Sequence, residues 1–332
     1  MHLGRATPGD RPAEFILSFD CEGRWGLEPF GIGCDHITRA RLPDVYARLL
    51  EILDRHRVPG TFAFVAAFTL SRDQAEEHRE LFEGLTWDGR DWFAPFREAL
   101  RRNGGDGWLC PEALAMVAAA PAHEIASHSF CHLPLSESQV DRQTFDREME
   151  KVRWTEALHG VASQTFVYPQ NIIGHADRLS HWGFVAYRPP RPAEERSGTL
   201  ARLGRYLDEI NLWEPSQSSG KAGMPACLPE GRFINYRYGL RRKIPFGVTA
   251  SKLRHMLDHA IRRGGVLHLY CHPHEFIRGD RQFELLDHLL GLVSERARNG
   301  EVRPCTQRQY YEQRLRDAGG CGALPKAACS RT

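Results

Sequence analysis

The 332-residue sequence contains no apolar run approaching the roughly 20 residues that cross a bilayer, and Met1 to Glu14 lacks the apolar segment of a secretory signal. A cytoplasmic protein is expected. There is no excess of charge either: the formal charge is +2, with 26% charged and 42% apolar residues, which leaves no basic face for nucleic acid. Cys21, Cys34, Cys110, Cys131, Cys227, Cys271, Cys305, Cys321 and Cys329 are odd in number, scattered and without a C-x-x-C pair, which argues against a disulfide framework or a zinc ribbon. No internal repeat occurs, and no linker splits the chain into halves. What the sequence has in quantity is histidine, sixteen in all, with His128 near His132 and His268, His272 and His274 close together.

The run Phe15-Ile16-Leu17-Ser18-Phe19-Asp20-Cys21-Glu22-Gly23 is apolar and ends in two acids one residue apart. Side chains of a strand alternate faces, so Ser18, Asp20 and Glu22 point one way while Phe19 and Cys21 point the other. Two ionised acids on one face need a cation or a shared proton, unless the strand end simply reaches water or caps the next element. A helix is expected over 39–57, from Leu42, Val45, Leu49, Ile52 and Leu53, with a strand at 61–68. Strand, helix, strand then repeats: a helix at 111–120, strand at 124–127, helix at 137–159, strand at 165–168, helix at 176–182 and strand at 184–187. After 251–263 (helix), 265–272 (strand) and 283–298 (helix) come a last strand at 301–305 and a last helix at 307–316. About seven such units favour one barrel-like α/β domain over an open sheet. Two stretches break the rhythm: an aromatic-rich insertion at about 70–108 and a Pro-, Gly- and Ser-rich one at about 189–247. The tail, 318–332, is expected to be disordered.

His128-Ser129-Phe130-Cys131-His132 follows a strand. On a helical turn residues four apart share a face, about 6 Å between Cβ atoms, which suits two imidazoles on one cation; surface or capping histidines have the same spacing. In Val266-Leu267-His268-Leu269-Tyr270-Cys271-His272-Pro273, alternation puts His268, Tyr270 and His272 on one face, and Pro273 stops the strand. His272 then emerges at the rim that carries Asp20 and Glu22, as a general acid or as a hydrogen-bonded histidine, whereas His268 reads as a core residue. Trp25, Trp87, Trp92, Phe93 and Trp108 either wall a sugar groove or anchor the insertion.

In order and content, Ser18-Phe19-Asp20-Cys21-Glu22-Gly23, His128-Ser129-Phe130-Cys131-His132, Phe166-Val167-Tyr168-Pro169-Gln170-Asn171 and Leu269-Tyr270-Cys271-His272-Pro273 resemble the motifs of the NodB-type polysaccharide deacetylase family. The resemblance implies a distorted (β/α)7 barrel, a single domain over 13–317, and metal-dependent hydrolysis of an N-acyl group, N-acetyl above all, on an aminosugar. By position Asp20 is the general base, His128 and His132 are metal ligands and His272 is the general acid. The family's first motif has adjacent aspartates, the second binding metal. Here Cys21 stands in that place, so the D-x-[DE] form assigns the metal to Glu22. The third motif lacks its arginine, for which Arg188 is a substitute, while Asn171 and Trp25 are candidates for substrate contact and a backbone N-H near Tyr168 for the oxyanion site. Zinc suits the ligand set, with iron, cobalt or nickel as alternatives. A glycan, a nucleotide- or lipid-linked aminosugar, or an aminosugar natural product is the expected partner, with no nucleic acid. The competing readings are a carbohydrate-binding protein that lost turnover, and a hydrolase using Cys131 or Cys271 as nucleophile.

Overall fold

Strand β1 (Ala13–Cys21) is buried at every position, as a strand covered on both faces must be. The computed structural model describes residues 11–189, 225–234 and 239–317. β1 lies in the middle of a sheet in which every pairing is parallel. It pairs with β10 (Val266–Cys271) on one side and on the other with β2 (Thr61–Phe64) along its upper half and β11 (Val302–Cys305) along its lower half. With β5 (Glu124–Ser127), β6 (Thr165–Val167), β7 (Ala186–Arg188), β8 (Ala226–Cys227) and β9 (Arg232–Phe233), the order is β8-β7-β6-β5-β2-β1-β10-β9.

The two edge strands, β8 and β9, are consecutive in the chain, joined only by residues 228–231. At about 3.5 Å per residue this link cannot bridge a flat sheet eight strands wide. The sheet is therefore curled. A Cβ on Gly231 would meet Cδ of Arg188 on β7 at 2.8 Å and a ring carbon of Tyr270 on β10 at 2.9 Å, so the link runs through the seam between those strands. Counting the 226–233 run once, seven strand positions surround the interior, as in a distorted (β/α)7 barrel.

Helices cover the outside. On α1 (Leu42–His56), Leu42, Val45, Tyr46, Leu49, Ile52 and Leu53 form the buried stripe, and Arg57 ends the helix in the left-handed conformation at φ 55°. α1 packs between α4 (Pro111–Ala118) and α7 (Asp280–Arg298), while α5 (Arg142–His159), α6 (Phe246–Arg263) and α8 (Gln307–Asp317) complete the shell. The 70–108 stretch contains α2 (Arg72–Glu77), the hairpin β3 (Thr86–Trp87) and β4 (Arg90–Asp91), and α3 (Ala94–Asn103). Its Phe82, Trp92, Phe93, Phe96 and Trp108 are buried in the main core.

Several expectations shift. The strand expected to Phe68 stops at Phe64, because the chain turns into a 3-10 segment at Ala66–Thr69. α5 begins at Arg142, not 137, since the Asp141 carboxylate accepts from Thr144 N at 2.7 Å and caps it. The helix expected at 176–182 is one 3-10 turn, Ala176–Arg178, and α6 starts at Phe246 rather than 251. Much of the expected 189–247 insertion, together with the tail, lies outside the described residues. Its described part contributes β8 and β9, the seam of the barrel, as well as the start of α6.

Candidate active site

The barrel interior is narrow and lined by small groups beside Asp20: its register neighbour on β2 is Ala63, and Ala63 pairs with Ala126 on β5. Ala63, Ala126 and Val167 form their own small apolar cluster, apart from the main core. Short side chains there leave room for charged ones above. Asp20 and Glu22 fill that room, buried at the C-terminal end of β1, while Phe19 and Cys21 face the outer core.

Each acid has its own partners. Arg188, at the end of β7 and 1% exposed, forks onto Asp20, Nη1 to Oδ1 at 2.8 Å and Nη2 to Oδ2 at 2.6 Å. Nη1 also donates to Ser18 Oγ at 3.1 Å, Nη2 reaches Asn171 Oδ1 at 3.4 Å, and the guanidinium lies 4.0 Å from the Tyr270 ring centroid. Burial alone would raise the Asp20 carboxyl, but the charges of Arg188, His128 and His272 prevail and its pKa lies below the usual aspartate value.

Glu22 belongs to the imidazoles. Its Oε2 lies 2.8 Å from His132 Nε2 and 3.4 Å from His128 Nε2, and its Oε1 lies 3.7 Å from His272 Nε2. Desolvation is again the largest influence, yet His272, His132 and His128 together hold its carboxyl well below the usual glutamate range. His128 Nδ1 sits 2.8 Å from the Val167 carbonyl, which fixes the proton on that nitrogen and turns the Nε2 lone pair toward Glu22. The loop must come very close here. A Cβ on Gly26 would fall 2.0 Å from Glu22 Oε1, so any side chain at that position displaces the carboxylate.

His128 and His132 do meet, but not on a helix. The segment is a loop with Ser129 at φ 64° and His132 at φ 60°, tied by His132 N donating to Ser129 Oγ at 3.0 Å, and the imidazole centroids are 4.8 Å apart. Glu22, His128 and His132 offer one ligand atom each within 4.8 Å of one another. Glu22, His272 and His274 meet the same distance test. The His272 and His274 rings, however, stack 5.2 Å apart and only 9° from parallel, so their in-plane lone pairs do not converge on one ion. His272 is the open member, its side chain 23% exposed, with Nε2 3.9 Å from Asp20 Oδ2.

The secondary candidates separate. Asn171 joins the site's frame, its amide donating to Tyr270 Oη at 3.3 Å. The Tyr168 side chain turns away from the site, its hydroxyl donating to the Gly174 carbonyl at 3.1 Å and its ring packing on Phe166 and Tyr187. Trp25 is wholly buried, Nε1 donating to the Trp108 carbonyl at 2.9 Å, among Phe82, Phe93, Phe96 and Trp108, so it anchors the 70–108 stretch rather than walling a groove. The thiols of Cys21, Cys131 and Cys271 are buried, and desolvation raises each pKa well above the ordinary thiol value, which leaves no ready thiolate nucleophile. His268 is the core histidine expected, between Ser18 Oγ (3.0 Å) and the Pro229 carbonyl (2.9 Å).

Ser18, Tyr270 and His274 had no role assigned from sequence. Alternation placed Ser18 and Tyr270 on the right faces. His274, buried, has no hydrogen-bond partner on either ring nitrogen among the described residues, and nothing in the sequence set it apart from its neighbours.

No curated protein matches the chain. The family model described as polysaccharide deacetylase matches residues 31–177, a span that holds His128 and His132 but neither β1 nor His272. Among solved structures, the chain is similar to a provisionally named polysaccharide deacetylase from Mycobacterium smegmatis, 18% identical with TM-score 0.56, covering 99% of this chain and 97% of that one. A second, from Pseudomonas aeruginosa PAO1, is 15% identical with TM-score 0.55 over 93% of each chain. Puue allantoinase is 15% identical with TM-score 0.50, covering 93% of this chain and 92% of that one. At such identities the likeness is one of fold. Family model and fold converge on the resemblance read from the motifs, that of the polysaccharide deacetylases.

Proposed function

We propose that the chain is a metal-dependent hydrolase that removes an N-acyl group, N-acetyl in the first instance, from an aminosugar-containing substrate. The observation that carries this reading is the division of two buried acids between an arginine and a pair of imidazoles. The donor set fits a divalent ion: one carboxylate and two imidazole nitrogens, buried and mutually close, with the far nitrogen of His128 committed to a carbonyl. Zinc is the first choice, with iron, cobalt or nickel as alternatives. Glu22, His128 and His132 would hold the ion, which would supply Lewis acidity toward the acyl carbonyl and lower the pKa of water.

The other groups move protons. Asp20 takes the proton of the attacking water, and Arg188 keeps its carboxylate ionised and fixes its orientation toward the barrel mouth. Asp20 retains lone pairs for this, since the arginine fork uses only part of its acceptor capacity. His272, beside both acids and the most open of the set, donates a proton to the amine nitrogen as the C–N bond breaks. In this reading residues 13–317 act as one unit, in the cytoplasm. Among the described residues no helix is long and apolar enough to cross a membrane.

The test is acetate release from N-acetylated amino-oligosaccharides by the metal-loaded protein. Release should stop with a chelator, survive a thiol-alkylating reagent, and fall about a hundredfold or more in Asp20→Asn. Glycan binding without release by fully metal-loaded protein would instead support a carbohydrate-binding role.

A further inference from the structure

All strands of a parallel barrel end on one rim, so the loops after β1, β6, β9 and β10 and the N-termini of α6 and α7 share the face on which Asp20, Glu22 and His272 emerge. Six large apolar side chains are notably exposed among the described residues. Five of them are on this face: Ile32 after β1, Ile172 and Ile173 after β6, and Phe246 (38% exposed) and Val248 (44%) at the start of α6. Only Leu158, near the C-terminus of α5, is elsewhere.

Beside Phe246 lies an open pocket of about 330 Å³, lined by Arg242, Lys243, Ile244, Pro245, Phe246, Arg281 and Glu284. Three cations and one carboxylate leave it positive. Arg242, Lys243 and Arg281 make no ion pair among the described residues, although Glu284 lines the same pocket. The neighbouring Asp280 is already bound to Arg48. Arg281 instead donates to the Arg242 backbone carbonyl at 3.4 Å, which ties the first turn of α7 to the 3-10 segment Gly239–Lys243 before α6. Three cations beside a single carboxylate leave a net repulsion, and an anion in the pocket relieves that. Exposed apolar groups bordering unpaired cations are the composition that binds an anionic lipid interface, the apolar groups entering and the cations meeting phosphates.

We propose that this rim docks on an anionic membrane surface, with lipid phosphate in the Arg242–Lys243–Arg281 pocket and Phe246 and Val248 inserted beside it. The barrel mouth then faces the bilayer. That the mouth delivers an N-deacylase to its substrate rests on the function proposed above, whereas docking does not, so docking is measured without turnover. The full chain is sedimented, with chelator present, against vesicles of phosphatidylcholine alone and of phosphatidylcholine mixed with phosphatidylglycerol. It should bind the anionic vesicles only, and inorganic pyrophosphate should compete. At about fivefold per surface cation, Arg242→Gln/Lys243→Gln/Arg281→Gln should cut partitioning about a hundredfold. Phe246→Ser/Val248→Ser should weaken it with the melting temperature unchanged. Arg262→Gln/Arg298→Gln, at the opposite ends of the same two helices, should not change it. Absence of vesicle binding, equal binding to neutral vesicles, equal loss in the opposite-end variant, or pyrophosphate binding without vesicle binding would each overturn the proposal.

Discussion

Asp20 and Glu22 differ by one methylene and sit two residues apart, yet their surroundings give them different chemistry. A bidentate guanidinium orients one and a set of imidazoles gathers around the other. Removing either partner leaves a buried carboxylate uncompensated, a change that costs about 3–5 kcal/mol. The histidines behind them matter for a different reason. Burial lowers His268 to about 3, below the ordinary 6.5, and His274 likewise to about 3, so both stay neutral in the folded protein. A depressed histidine is neutral when folded and protonated when unfolded, so stability is full above pH 6.5 and is lost as pH falls from 6.5 toward 3. For the metal-free protein, urea unfolding should show a loss of about 2 kcal/mol per such histidine between pH 6.5 and 5. His268→Gln should flatten that slope. An unchanged stability over this interval, or an unchanged slope in the variant, would contradict the assignment.

At the scale of elements, the informative failures lie in the connections. Strand alternation places Ser18, Asp20 and Glu22 correctly, since a two-residue period needs no knowledge of the partner strand. The four-residue spacing of His128 and His132 points to a helix, and the structure uses a loop with two left-handed residues to bring the same rings together. Local spacing shows that two side chains can meet without showing how. The barrel seam was harder still to read. Two-residue strands carry no periodicity, and Gly231 reveals its role only where Arg188 and Tyr270 close over it. Gly231→Ala should therefore push Arg188 off Asp20, destabilise the fold by about 1–3 kcal/mol and lower turnover. An alanine variant that melts with the wild type and keeps full activity would show that the seam has slack.

Over the whole molecule, the sequence order of acids and histidines sufficed to bring Asp20, Glu22, His128, His132 and His272 to one rim, because a parallel barrel collects every strand end on one face. The choice of Arg188 as partner to Asp20 was legible for the same reason, its position at a strand end. Trp25 stayed open between groove wall and anchor because an aromatic in a loop looks alike in sequence whether it faces a groove or the core; only its packing against Trp108 tells the two apart. The pocket at Arg242 was invisible, since its cations come from two segments some forty residues apart, in a chain whose overall charge is nearly balanced. Everything proposed for catalysis depends on which carboxylate holds the ion. Metal content per chain, measured by mass spectrometry on the wild type, Glu22→Ala and Asp20→Asn, tests this directly. The account expects one divalent ion in the wild type and in Asp20→Asn and almost none in Glu22→Ala; an ion retained by Glu22→Ala but lost from Asp20→Asn, or absent from the metal-supplied wild type, would contradict it.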